Sequence, residues 1–213
     1  MTNLLVIGAS GGIGLAAVRA ALAAGHHVRG LSRRAAQIGI DDPAFTPVPG
    51  DATYRDAVAG ALDGIDAVIF ALGVPKSLQR TLRPVTIVSE ATQATIAAME
   101  AAGVRRLVAV TGFGAGESRH AMSLLERVPH RMLLGHAYDD KDRQEGLIRA
   151  SRLDWLILRP TILTNRPARG AVKLLRDPAA WRNGLISRAD VAEVLGRAAA
   201  RPTLSHEAPV LTN

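Results

Sequence analysis

The sequence predicts an α/β fold built on a doubly wound parallel sheet with helices on both faces, and two observations carry that expectation. Short, almost wholly apolar runs recur between segments whose apolar residues fall at helical spacing. Strands with so few polar positions need cover on both faces, and crossover helices supply it. The second observation is a glycine cluster that closes the first apolar run and opens the first helical pattern.

Taken in order, residues 4–7 read as the first strand and residues 13–24 as a helix that Gly25 stops. Residues 28–31, 45–48 and 66–72 are the next three strands, the last closed by Gly73, with a helical pattern over 54–62. Pro84 opens a long helical stretch through Ala102, Gly103 stops it, and residues 106–110 are a fifth strand. The chain then loses its periodicity as far as Gly135. A helix over about 139–151 follows, then a sixth strand at 155–158 that ends at Arg159-Pro160. Ser187 is placed as the N-cap of a last helix, and residues 208–211 as one more strand. All 213 residues are expected to form a single domain, with residues of about 112–136 and 163–186 as loops on the substrate side.

Composition narrows the chemistry. The absence of cysteine excludes disulfides, thiolate metal sites, iron–sulfur clusters and a cysteine nucleophile. No run approaches about 18 apolar residues and no leader is visible, so a soluble, cytoplasmic protein is expected with no membrane partner. The net charge is +7, but the arginines are spread along the chain and only Lys76, Lys141 and Lys173 are lysines. Without a basic run or interleaved aromatics no dedicated nucleic-acid site is expected, and the charge suits an anionic small molecule. Either a monomer or a homodimer is compatible with this composition.

The glycine cluster is Gly8-Ala9-Ser10-Gly11-Gly12-Ile13-Gly14. Between a buried strand and a helix N-terminus, its backbone N–H groups are placed to receive a pyrophosphate. One glycine permits the tight turn, one removes a side chain where phosphate approaches, and one lets helix and strand pack closely. Cofactors with a free ribose 2′-hydroxyl usually meet an acid about 20 residues further on. This chain offers Ser32-Arg33-Arg34 there, which favours NADP(H) over NAD(H), with Arg33 the leading candidate and Arg34 beside it. Asp51 and Ala52, after the third strand, are candidates for the adenine; the alternative for Asp51 is an N-cap of the helix that follows. Ala71, Leu72 and Gly73 close the fourth strand where the middle of the dinucleotide would pass.

These residues resemble the atypical short-chain dehydrogenase/reductase proteins with an NAD(P)H-binding domain, similar in layout to biliverdin-IXβ reductase/flavin reductase. The resemblance runs through Gly8 to Gly14, Leu31-Ser32-Arg33, Gly50-Asp51, residues 66–73, Ser89-Glu90-Ala91 with Ala97-Ala98-Met99, residues 108–111 and 156–160, and Ile186 to Ala192. It implies a Rossmann-type fold. It also implies that Gly11, Gly12 and Ile13 meet the pyrophosphate, Arg33 the 2′-phosphate, and Leu72 and Gly73 the adenine-side ribose. Thr111 and the backbone around Pro160, Thr161 and Ile162 would then approach the nicotinamide. Flavin and biliverdin reductases tend to carry Thr-Ser after the fifth strand, whereas this chain reads Thr111-Gly112.

The better-known branch of that superfamily uses a tyrosine and a lysine four residues later. Here Tyr54 and Tyr138 are followed at that spacing by Val58 and Asp142, so the Tyr-x-x-x-Lys pattern is absent. Tyr138 and Lys141, three apart, can share a helix face, and with Thr111 they are the catalytic candidates. The bland reading makes Tyr138 to Lys141 a solvated helix start. His120, His130 and His136 are further proton-donor candidates in the same region; no metal-ligand spacing occurs. The expected function is an NADPH-dependent oxidoreductase passing hydride to a small acceptor such as a flavin, quinone or linear tetrapyrrole. A non-catalytic NADP(H)-sensing protein is the alternative, and a nucleotide-sugar epimerase or dehydratase a weaker one.

Overall fold

The computed structural model describes residues 1–74 and 85–213, apart from the side chains of 124–134. Pro84, the expected helix opener, lies outside the described residues. The strands are β1 (Asn3–Ile7), β2 (His27–Ser32), β3 (Phe45–Pro49), β4 (Ala67–Phe70), β5 (Arg106–Val110), β6 (Asp154–Pro160), β7 (Ile162–Thr164), β8 (Lys173–Leu175), β9 (Leu185–Ser187) and β10 (Val210–Thr212). The helices are α1 (Gly12–Ala23), α2 (Arg55–Ala59), α3 (Ile87–Ala102), α4 (Leu124–Ala150) and α5 (Arg188–Ala199).

Eight strands form one sheet in the order β3-β2-β1-β4-β5-β6-β10-β8, parallel throughout except for the edge pair β10–β8. Register is set by facing apolar residues, Leu4 opposite both Val28 and Ala67. Alternation along β1 sends Leu4 and Val6 to one face and Leu5 and Ile7 to the other. On the first face the small residues Ala17, Val18 and Ala21 of α1 meet Val191, Leu195 and Ala198 of α5. On the second, Val88, Ala91 and Met99 of α3 and Ile148 of α4 cover Ile7, Phe70 and Ile157. The doubly wound sheet expected from the sequence is thus the observed fold. Its strand order reverses between β1 and β4, and a crevice opens at the carboxyl edge of such a switch point.

Two helix starts depend on side chains. Ser187 Oγ accepts from the Asp190 N–H at 2.9 Å, the N-cap expected for α5. At α3 no local residue caps the helix; the buried Asp140 carboxylate of α4 accepts instead from Val88 N–H at 2.9 Å and Ser89 N–H at 3.2 Å. Asp140 is therefore not part of a solvated helix start.

Several expected boundaries are corrected. The helix expected at about 139–151 begins at Leu124, because Gly135 lies inside α4 and does not end the aperiodic stretch. A mid-helix glycine costs only about 1 kcal/mol relative to alanine, which tertiary packing readily offsets. The region 163–186 is not loop alone: it carries β8, a 3-10 turn at Pro178–Ala180 and most of the parallel β7–β9 ribbon. Strands of three residues are too short for periodicity to reveal. The helix expected over 54–62 shrinks to Arg55–Ala59 with Tyr54 at its N-cap; Asp51 is not that cap, its carboxylate accepting from the Thr53 N–H and hydroxyl. The fourth strand shortens to Ala67–Phe70, and the last one lies at Val210–Thr212.

Candidate functional site

The glycines of the loop differ in what surrounds them. Gly8 has φ +85°, and a Cβ there would stand 2.9 Å from the Ala71 carbonyl oxygen. Gly12 has φ +56° and Gly11 opens into free space, so the N-terminus of α1 is bare of side chains where a phosphate would approach. A Cβ on Gly14 would collide with the Gly8 carbonyl; this glycine serves helix–strand packing and does not line the cleft. Gly73 likewise faces open space.

The loop opens into a cleft of about 610 Å³ across the carboxyl ends of the strands. Gly8, Ser10, Gly11, Gly12 and Ile13 line its middle together with Ala71, Leu72 and Gly73. At one end stand Arg33, Arg34, Asp51 and Ala52. The Asp51 carboxylate accepts from the Thr53 N–H at 3.1 Å and hydroxyl at 2.9 Å, and lies 3.9 Å from the largely exposed Arg33 guanidinium. Ser32 Oγ accepts from the Arg34 N–H at 3.1 Å and holds that turn.

At the other end Thr111, Tyr138 and Lys141 come together. Lys141 Nζ donates to the Thr111 carbonyl at 2.5 Å and stands 4.9 Å from the centre of the Tyr138 ring. A Cβ on Gly112 would lie 3.0 Å from Tyr138 Oη and 3.1 Å from Lys141 Nζ. A serine after Thr111 would crowd both groups by a few tenths of an ångström, and Gly112 leaves them that room. Ala137, four residues before Lys141, occupies the position of the usual tyrosine and also lines the cleft.

Burial acts oppositely on the two titratable groups. It pushes the Tyr138 phenol up to about 12. It pulls the Lys141 ammonium down to about 8, against the nearby Glu145 carboxylate, which favours the charged form. Lys141 is the group poised near neutrality, and Tyr138 is kept a neutral phenol.

Beneath Thr111 lies a buried ionic network that sequence reasoning did not identify. Glu145 Oε1 accepts from the Thr111 hydroxyl at 2.8 Å and from Arg159 Nε at 2.9 Å, while Arg159 Nη2 donates to Glu145 Oε2 at 2.5 Å. Arg159 reaches Glu117 at 3.3 Å as well and lies 5.2 Å from the Trp181 ring centre. Its guanidinium pKa is raised: burial alone would lower it, but Glu145 and then Glu117 outweigh that. The i, i+4 spacing of Lys141 and Glu145 was the available signal, since it puts both on one helix face.

Pro160, Thr161 and Ile162 do not line the cleft. The Pro160 carbonyl accepts from Phe113 N–H, while the N–H groups of Thr161 and Ile162 donate to Leu211 and Gly184. Leu163, one residue on, reaches the cleft, as do Val110, Val74, Ile87 and Arg188. His120 instead lines a separate cleft of about 510 Å³ with Arg176 and Trp181. His136 lines neither of these clefts, and the His130 side chain lies outside the described residues. Trp155 is packed, stacked on His206 with centroids 5.3 Å apart. Among the described residues no group of three or more His, Asp or Glu could hold a metal ion, and no helix is long and apolar enough to cross a membrane.

A glycine turn free of side chains, a cleft running from paired arginines to a lysine, and a switch-point sheet together define a Rossmann-type dinucleotide-binding protein. The family model described as NAD(P)H-binding matches residues 8–202, and the chain belongs to that family. Among solved structures, anaerobilin reductase ChuY from Escherichia coli O157:H7 is 27% identical, covers 99% of this chain and 97% of its own, and superposes with a TM-score of 0.80. ChuY from E. coli strain CFT073 matches at 27% identity and TM-score 0.79 over 100% of this chain and 97% of that one. A short-chain dehydrogenase/reductase from Veillonella parvula in complex with NADP shares the fold, with 18% identity, TM-score 0.81 and coverage of 100% and 94%. The resemblance drawn from the sequence is borne out, and these neighbours include a reductase and a short-chain dehydrogenase/reductase.

Proposed function

We propose that this chain is an NADPH-dependent reductase whose acceptor is a linear tetrapyrrole. The observation that carries the reading is the union, in one cleft, of the glycine loop with the half-buried Lys141 held on the Thr111 carbonyl. The full-length likeness to an anaerobilin reductase supports the tetrapyrrole over a flavin or quinone. The bare N-terminus of α1 and the open positions at Gly11 and Gly73 fit a dinucleotide lying across the sheet edge.

When bound, the nicotinamide supplies a hydride. Gly11, Gly12 and Ile13 offer backbone N–H groups to the pyrophosphate, and Arg33 bonds the 2′-phosphate with Arg34 adding charge. Lys141, held on the Thr111 carbonyl, is protonated below pH about 8 and delivers the proton that completes a two-electron, two-proton reduction of the acceptor. Tyr138 stays neutral and presents its hydroxyl beside Lys141 as a hydrogen-bonding group. Glu145 keeps Thr111 in place and favours the charged form of Lys141.

The test is NADPH consumption by the purified protein against biliverdin, FMN and a menadione-type quinone, with NADH in parallel. Saturable turnover of the tetrapyrrole with NADPH is expected. Tight NADPH binding with no turnover of any acceptor would instead identify a sensor of the nucleotide.

A further inference from the structure

Pyrophosphate carries two negative charges, yet the glycine loop meets it with backbone N–H groups and Ser10 alone. Among the described residues, the cations lining the cleft are four and unevenly distributed. Arg33 and Arg34 stand at the β2 end, and Lys141 at the β5 end is committed to the Thr111 carbonyl. The fourth is Arg188, the first residue of α5.

Arg188 is unusual in its company. Its Nη1 donates to the amide oxygen of Asn165 at 2.7 Å, and among the described residues it forms no ion pair with a carboxylate. Its element places it at the middle of the site. α1 and α5 pack side by side through Ala17, Val18, Val191 and Leu195. Both run away from the carboxyl edge: α1 leaves β1 and returns to the start of β2, and α5 leads to Leu204, whose N–H donates to Asp154 at the start of β6. The two N-termini are therefore neighbours at the same edge.

We propose that Arg188 is a pyrophosphate-binding residue, supplying from the β7–α5 side the cation that the glycine loop lacks; this rests on the NAD(P)H-binding reading of the cleft. A guanidinium presents a fork of donors suited to phosphate oxygens, and a neutral Asn165 partner orients it without neutralising it. Arg188 then reads a group common to NADPH and NADH, whereas Arg33 reads one that only NADPH carries.

Calorimetric titration of wild type, Arg188→Ala and Arg188→Lys with NADPH, NADH and adenosine 2′-monophosphate, which has no pyrophosphate, separates the roles. Loss of a charge-assisted bond weakens Arg188→Ala by about 10- to 150-fold for both dinucleotides alike. The adenosine 2′-monophosphate affinity is unchanged, and Arg188→Lys, a point charge without the fork, recovers part of the loss. Melting temperatures establish that each variant is folded, and the lysine variant carries the test if the alanine variant is not. Unchanged dinucleotide affinity, an equal loss for adenosine 2′-monophosphate, or a rise confined to acceptor KM each overturns the assignment. A wild type that binds neither dinucleotide overturns the cleft reading along with it; a wild type that binds both, beside an indifferent Arg188→Ala, overturns the Arg188 role alone.

Discussion

Replacing Glu145 by glutamine tests whether the network under Thr111 holds the site together. Glu145 and Arg159 are both buried, and the carboxylate takes three bonds: two from Arg159, at 2.9 and 2.5 Å, and one from the Thr111 hydroxyl at 2.8 Å. Glutamine is isosteric but has one acceptor oxygen, and because Arg159 donates to both carboxylate oxygens, its NH2 faces an Arg159 donor in either orientation. Removing one partner of a buried ion pair costs about 3–5 kcal/mol. The exposed Glu117, at 3.3 Å, still partners Arg159, which puts the expectation at the low end, about 3 kcal/mol. For a chain of this length that corresponds to a fall in Tm of about 6–12 °C. Urea unfolding and thermal melts read it directly. The double variant Glu145→Leu/Arg159→Met removes both charges of the buried pair, with the exposed Glu117 keeping Arg149, and should regain at least half of the loss, a non-additivity expected of residues in contact. A Glu145→Gln protein within about 0.5 kcal/mol of wild type, or a double variant no better than the single one, refutes the reasoning.

Three further outcomes are expected. With its pKa lowered to about 8, Lys141 is protonated and able to donate below that pH, so kcat/KM with a tetrapyrrole should fall as pH rises through about 8; a profile flat to pH 10 would remove Lys141 from proton delivery. Burial opposes ionisation of Asp190, but hydrogen bonds from Asn213, the Gly170 N–H, Ser187 and the Arg169 N–H hold its pKa at about 2. Against an unfolded value of about 3.9, this contributes about 2–3 kcal/mol that is complete above pH ~5 and is lost as pH falls through the folded value. Denaturant titrations of wild type and Asp190→Asn should therefore converge near pH 2 and diverge at pH 7, and curves that stay parallel would contradict it. Arg33→Ala should lower the NADPH/NADH affinity ratio by about 10- to 150-fold, and an unchanged ratio would show that the 2′-phosphate is read elsewhere.

Legibility followed the range of the interactions. The glycine loop was readable because its constraints are local: Gly8 and Gly12 need positive φ, and Gly14 must let α1 approach the turn from which it springs. Ser187 was readable as a cap because its partner, Asp190, is three residues away. The capping role of Asp140 is not legible for the opposite reason, since the N–H groups it caps belong to α3, some fifty residues earlier. The β7–β9 ribbon and β8 escaped because three-residue strands owe their existence to partners brought from elsewhere in the chain.

The sequence by itself determined the doubly wound sheet, the glycine turn and the position of the arginines after β2, because apolar periodicity and glycine stereochemistry act within a few residues. Tertiary structure alone decided what surrounds Lys141. The same burial that makes its ammonium a stronger acid makes the Tyr138 phenol a weaker one, and Gly112 leaves room for both. It also brought Glu145 of α4 onto Arg159 of β6 and set Arg188 at the cleft, since those pairings join separate elements and depend on how the chain is wound around the sheet.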